Sequence, residues 1–204
     1  MRISPIDVQL PRMLLVQSKI SPSKFVSNYS LFINGVYRRV LDDIRKAQES
    51  EPDLILYLQP YSGQLIVRLA KDHPTQAHPV TLFLSTTTEV AKVSYTCEIV
   101  GWCDKTKLGE RELAAFSEVI QKYQPTERGG IYMRGHESGP EAKNLLHVMH
   151  MRRLSLPFSV EHLVKQSDHS RYSPNRTTAG GWSYVENPDP DFLYERVNGF
   201  RRTK

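Results

Sequence analysis

Apolar and polar positions alternate most cleanly between Val93 and Cys103, within the stretch VTLFLSTTTEVAKVSYTCEIVGWCD that runs from Val80 to Asp104. Val93, Tyr95, Cys97 and Ile99 fall on one side of an extended chain, and Ser94, Thr96 and Glu98 on the other. β-branched and aromatic residues dominate, as a half-buried pleated surface favours. This predicts two strands, Val80–Leu84 and Val93–Cys103, joined by the hydroxyl-rich turn Ser85–Thr88. Gly101 marks a bulge or a close approach by another backbone. The alternation puts Trp102 on the polar side of the strand end. There it either floors a pocket or packs beneath a helix.

The same reading places a short strand at Met13–Gln17. A helix is predicted from Lys24 to about Ala47, because Phe25, Tyr29, Phe32, Ile33, Val36, Val40 and Ile44 recur at steps of three and four. Gly35 weakens the middle of that span. Leu54–Gln59 and Gln64–Ala70 flank Pro60-Tyr61-Ser62-Gly63 and read as a hairpin with Tyr61 at its tip. Glu110–Tyr123 reads as a helix with Leu113, Phe116, Ile120 and Tyr123 on one face. Glu141–Leu154 is expected to be a third helix or a mixed segment, and Pro157–Gln166 a short helix with Ser159 at its N-cap. The fold class is therefore α+β: a mainly antiparallel, barrel-like sheet with flanking helices. Residues 1–185 form one domain with its sheet core at 54–104, and 186–204 form a C-terminal tail that packs only partly.

Composition narrows the class. The 204 residues are 39% hydrophobic, enough for a real core. Lys and Arg total 27 against 22 Asp and Glu, a net charge of +5, which permits an anionic partner without requiring one. No apolar run approaches the roughly 20 residues of a membrane span, and the first residues lack the apolar core of a secretory signal. If Cys97 and Cys103 share one extended strand they lie about 20 Å apart at roughly 3.3 Å per residue, beyond the reach of a disulfide. Cys97 then reads as a core residue and Cys103 as a free thiol, as expected in the cytoplasm.

Chemistry concentrates in Arg176–Val185 (RTTAGGWSYV). Arg176 can fork onto a phosphate, and Thr177 and Thr178 add hydroxyls. Gly180 and Gly181 leave backbone N–H groups open to an anion, and Trp182 and Tyr184 project on one side of an extended chain. Charge, bare amides and adjacent rings are what recognition of single-stranded or extruded nucleotides uses. The alternative is a glycine turn leading into a core strand, with Arg176 solvated. Arg152 and Arg153 add basic surface. Together with Tyr61 and Trp102, these residues make up the expected nucleic-acid-binding set.

No catalytic set emerges. G-x-S-x-G is absent, and the four glycines of Thr126–Pro140 lack the Lys-Ser/Thr of a phosphate loop. Glu89 with Lys92, and Glu98 with Lys105, want a third partner for a metal-dependent nuclease. His73 with His78 lack carboxylate or thiolate company, and His147 with His150, on one helical side, have no H-E-x-x-H context, so no metal and no cofactor is expected.

From Leu54 to Cys103, the order of a strand reading LILYL after a helix, a turn, and further strands ending in YTCEIVGW resembles the PUA-like superfamily, which includes EVE, YTH and ASCH domains. The likeness covers about a quarter of the chain. The tryptophan-containing N-terminal signature of EVE domains is missing. The resemblance implies a small mixed barrel that reads RNA or modified DNA bases in an aromatic-lined pocket, some members serving restriction or defence. By residue type and position, Tyr61, Trp102 and Trp182 would line that pocket. The expected function is thus a DNA- or RNA-binding module, a reader of a modified or flipped-out base. The alternatives are a protein-interaction subunit of a larger complex and a nuclease.

Overall fold

The computed structural model describes residues 27–59, 66–124 and 144–200. The expected strand at 13–17, the Tyr61 hairpin tip and the glycine-rich 126–140 segment lie outside them. Six strands make one mixed sheet: β1 (Ser30–Val36), β2 (Leu56–Leu58), β3 (Val80–Thr86), β4 (Lys92–Asp104), β5 (Asn144–Ser159) and β6 (Trp182–Val185). Their order is β2-β5-β4-β3-β1-β6, with β1 and β3 parallel and every other neighbour antiparallel. Among the described residues the α-helices are α1 (Arg38–Ser50), α2 (Ile66–Asp72), α3 (Glu110–Tyr123) and α4 (Pro190–Asn198). The α+β class is therefore correct, but the expected barrel is an open sheet whose outer strands, β2 and β6, do not pair with each other.

Both faces of the sheet are covered. On one face Leu31, Leu82, Leu84, Tyr95, Cys97 and Ile99 pack with Val40, Leu41 and Ile44 of α1 and Leu69 of α2. On the other, Phe32, Phe83, Val93 and Phe158 pack with Leu193 of α4 and with Val160, Leu163 and Tyr172. Two-faced burial explains the helix predicted over 24–47. Its middle is β1, in which Leu31 and Phe32 serve opposite cores, so the strand reads as a continuous apolar run rather than an alternating one. Gly35 marks the strand end. Its φ is +82°, and a Cβ there would lie 2.7 Å from the Gly180 nitrogen.

Other expectations are corrected in the same way. Ile66–Asp72 is helix α2, not the second arm of a hairpin. Residues 144–154, the described part of the segment expected as helix or mixed, belong to the 16-residue strand β5. The predicted helix at 157–166 reduces to a 3-10 turn at Val160–His162, with the Ser159 hydroxyl accepting from the Glu161 N–H as foreseen. Pro190–Asn198, expected in a partly packed tail, is α4. Its start is capped by Asp189, which accepts from the N–H groups of Asp191 and Phe192, and its end by Gly199 at φ +80°. The predicted α3 and the two strands of 80–104 stand.

The β4–β5 ladder slips register between Val93 and Tyr95, between Thr96 and Glu98, and between Ile99 and Gly101. Each extra residue reverses which face the following side chains take. Val100 is one such residue. After it Gly101 opposes His147 and Trp102 opposes Leu146, a core residue. Trp102 is thereby returned to the apolar face and packs there half-buried, not on the polar side that strict alternation predicts. Gly101 follows the bulge foreseen there, but its close neighbour is a side chain and not another backbone, since a Cβ would meet His147 Nδ1 at 3.0 Å.

Where β2 stops, β5 still needs partners, and one side chain supplies them. Gln48 of α1 is buried. Its Nε2 donates to the carbonyls of Leu54 and Val148, both at 2.8 Å, and its Oε1 accepts from the Met151 N–H at 2.8 Å. An unsatisfied buried polar group costs about 1–3 kcal/mol. Gln48→Leu, similar in size but unable to bond, is expected to lower unfolding free energy by about 2–4 kcal/mol in urea titration. A loss under 1 kcal/mol would show that water replaces the amide.

Candidate functional site

Met151, whose N–H the Gln48 amide receives, follows a distortion. Between Met149, which opposes Glu98, and Arg152, which opposes Thr96, β5 carries one residue more than β4. His150 takes up the excess with φ +54°, a left-handed conformation usually left to glycine. Its Nδ1 lies 2.8 Å from Glu98 Oε2. A carboxylate only accepts, so Nδ1 carries the proton and donates. This fixes the ring's orientation and leaves Nε2 without a hydrogen bond to any described residue.

The pair lines a cavity of about 250 Å³ between α4 and the sheet. Thr81, Thr96 and Glu98 belong to the sheet side, Leu193, Tyr194 and Val197 to the helix side, and Arg152 stands beside His150. A second, open groove of about 450 Å³ is lined by His150, Arg152, Val197 and Asn198 as well, and by Arg45, Glu49, Pro52 and Arg153. The four shared residues join the two spaces. Arg45 is spent on Glu49 and Asp42, at 2.6 and 3.6 Å. The guanidiniums of Arg152 and Arg153 make no hydrogen bond or ion pair with any described residue. Two uncommitted guanidiniums open onto one groove attract anions.

The residues expected to bind nucleic acid are only partly brought together. Trp182 and Tyr184 alternate along β6 and meet edge to face, with centroids 5.4 Å apart. Both rest half-buried against the core of the α1 face. The Arg68 guanidinium sits 3.8 Å from the centroid of the Tyr29 ring and 5.4 Å from that of Tyr184. Arg176 turns back on its own loop, its Nε donating to the Thr178 carbonyl at 3.1 Å and its Nη2 to that of Gly180 at 2.7 Å. The Gly180 N–H is not bare. It donates to the Asn34 carbonyl, and the Asn34 N–H donates to Gly181 O, so the glycine pair extends the β1–β6 ladder. Thr177 and Thr178 are exposed. Arg152 lines the cavity and the groove, Arg153 the groove alone, and Trp102 lines neither. Two of the Ser85–Thr88 hydroxyls cap backbone: Ser85 Oγ accepts from Gly35 N–H and Thr86 Oγ1 from Glu89 N–H.

Glu98 and His150 were both visible in the sequence, in other company. Glu98 stood beside Lys105, and His150 beside His147. Nothing in the chain announces a pairing across 52 positions; it follows from the register of β4 on β5. His147 belongs to a different cluster, with Tyr57 and Phe116 at ring-centroid distances of 5.2 and 6.0 Å, and burial pushes its pKa down. Lys105 donates to Gln59 Oε1, and Glu89 pairs with Arg38 at 2.6 Å. Among the described residues no three His, Cys, Asp or Glu side chains gather as a metal site. No described helix is long and apolar enough to cross a membrane.

Comparison with known proteins adds no relative: no family model, no curated protein and no solved structure matches the chain.

Two expectations follow. The backbone strain at His150 is about 1–3 kcal/mol, and the part-buried hydrogen bond to Glu98 returns roughly 0.5–1.5 kcal/mol. His150→Gly is therefore expected to unfold within about 1 kcal/mol of the parent, and His150→Val, β-branched and ill suited to positive φ, to lose about 2 kcal/mol or more. Equal losses in the two variants would mean that no strain is stored there. Cys103, whose thiol burial and then Asp104 and Glu112 push up to about 11, is a poor nucleophile at neutral pH. In a Cys97→Ser background its alkylation rate is expected to climb about tenfold per pH unit from pH 8 until it levels near that value. Rapid labelling at pH 7 would contradict the assignment.

Proposed function

We propose that this protein is a nucleic-acid-binding module that holds the sugar-phosphate backbone in the groove between α1, β5 and α4. The observation that carries the reading is the pair Arg152–Arg153, neither engaged within the fold, on a groove that leads to the His150–Glu98 cavity. A free guanidinium on a concave surface gains most from phosphate oxygens, which it can meet with two parallel hydrogen bonds. The half-exposed Trp182 and Tyr184 at the sheet edge supply a second element, a ring surface on which a base can stack.

The finer reading is a PUA-like reader of a modified or flipped-out base. What supports it is the arrangement of rings: Tyr29 and Tyr184 beside the Arg68 guanidinium, with Trp182 edge to face on Tyr184. On this reading the protein binds DNA or RNA without cutting it.

The test is binding of single-stranded oligonucleotides, with and without base modifications, across a salt series. Affinity is expected to fall steeply with salt. Arg152→Ala and Arg153→Ala should each flatten the log–log slope by about one unit. Trp182→Ala should weaken binding by about 1–3 kcal/mol with the slope unchanged. Binding that is negligible at every salt concentration would rule the proposal out.

A further inference from the structure

We infer that the cavity beneath α4 is a seat for a phosphomonoester, the doubly charged end group of a nucleotide or nucleic-acid strand. The inference rests on the nucleic-acid reading and adds which part of the ligand the deep site takes.

The first argument is the donor set. Arg152 presents a guanidinium with no partner among the described residues, and His150 presents Nε2 to the same cavity. Arg153 stands at the adjoining groove. A phosphomonoester carries about −1.5 to −2 charges and three strong acceptor oxygens at neutral pH. An internal phosphodiester carries one charge and offers two free oxygens, so the guanidinium and imidazole of the cavity, with a second guanidinium at the groove beside it, match the end group better. To donate to the anion, Nε2 must be protonated while Nδ1–H remains on Glu98. The carboxylate at 2.8 Å balances the charge that this creates.

The second argument is shape. The groove is open and shares its inner residues with the cavity. The cavity lies between helix and sheet, with Thr81 and Thr96 on one side and Leu193 and Val197 on the other. A strand laid in the groove meets α4 and the sheet, and the smaller space past the shared residues suits an end. Its volume of about 250 Å³ takes a terminal phosphate with its sugar and leaves no room for a run of stacked nucleotides.

The third argument is the backbone. His150 is held at φ +54° while a glycine would fit the bulge without strain. The strained residue is the one that brings an imidazole to the cavity. Strain of this kind clusters at functional sites; the other described non-glycine residues at positive φ, His73 and His169, lie in loops and not in a strand.

The experiment uses one internally labelled single-stranded sequence in four forms: 5′-phosphorylated, 3′-phosphorylated, hydroxyl-ended, and circular. All are measured at one salt concentration with the full chain. One phosphorylated form is expected to bind at least tenfold tighter than the hydroxyl-ended and circular forms. That preference should shrink to under twofold in Arg152→Ala and in His150→Gly, the second being a variant expected to fold as the parent does. It should persist in Arg176→Ala, whose guanidinium is turned onto its own loop. Equal binding of all four forms would overturn the end-group inference and leave the nucleic-acid reading intact. Loss of the preference in Arg176→Ala but not in Arg152→Ala would also overturn it. A nucleoside monophosphate that binds where none of the oligonucleotides does, and where the nucleoside fails, would support the seat and assign it to free nucleotides. Failure of every probe would overturn both readings.

Discussion

The register of β4 on β5 is the constraint from which most of this structure follows. The two strands are the longest in the sheet and lie near its middle, and their pairing slips three times. A sheet with both faces buried tolerates a slip only where the reversed side chains find suitable surroundings. Past Val100, reversal sends Trp102 to the apolar face. At His150, one extra residue sets an imidazole against Glu98 and turns Arg152 toward α4. A regular ladder through the same residues would lack the cavity's polar pair.

The remaining elements complete what the ladder leaves open. Gln48 takes over the bonding of β5 where β2 ends, tying α1 to the bulge from the opposite side. α4 crosses the other face, with Leu193 in the core and Val197 and Asn198 at the groove. The Asn187 side chain joins this C-terminal segment to β1, accepting from Ser30 Oγ at 2.7 Å and donating to the Ser27 carbonyl. The outer edge of β6 is covered in part, since Gln166 N–H donates to Tyr184 O and Glu186 N–H to Val164 O. Groove and cavity thus lie among residues of α1, β3, β4, β5 and α4, braced by backbone and side-chain hydrogen bonds.

Elements with a single local cause were legible. β3 and β4 have β-branched, alternating sequences around a hydroxyl turn; α3 has one apolar stripe; Ser159 caps a turn as its position suggests. Elements buried on two sides were not. β1 and β5 place apolar side chains on both faces, and steps of three and four then arise in a strand without a helix. α4 carried strong local signals, Asp-Pro at its start and Asn-Gly at its end, but its apolar face is short and gave little periodicity. The candidate site was legible as residue types only. Arg152, Arg153, Trp182 and Tyr184 were noticed for their chemistry, whereas the engagement of Arg176 by its own loop depends on Gly180 and Gly181, at φ +94° and +96°, bending the chain back toward it.

What the chain determined by itself is its class and its local grammar: a mixed α and β composition, two strands joined by a turn, an amphipathic helix, and two cysteines that remain free. These follow from interactions between residues a few positions apart, which the order of side chains encodes directly. Tertiary structure decided the sheet order, the parallel β1–β3 pairing, the face on which Trp102 lies and the meeting of Glu98 with His150. Those depend on the register between strands distant in sequence. Register is set by the summed packing of two cores, and no short stretch of sequence contains that sum.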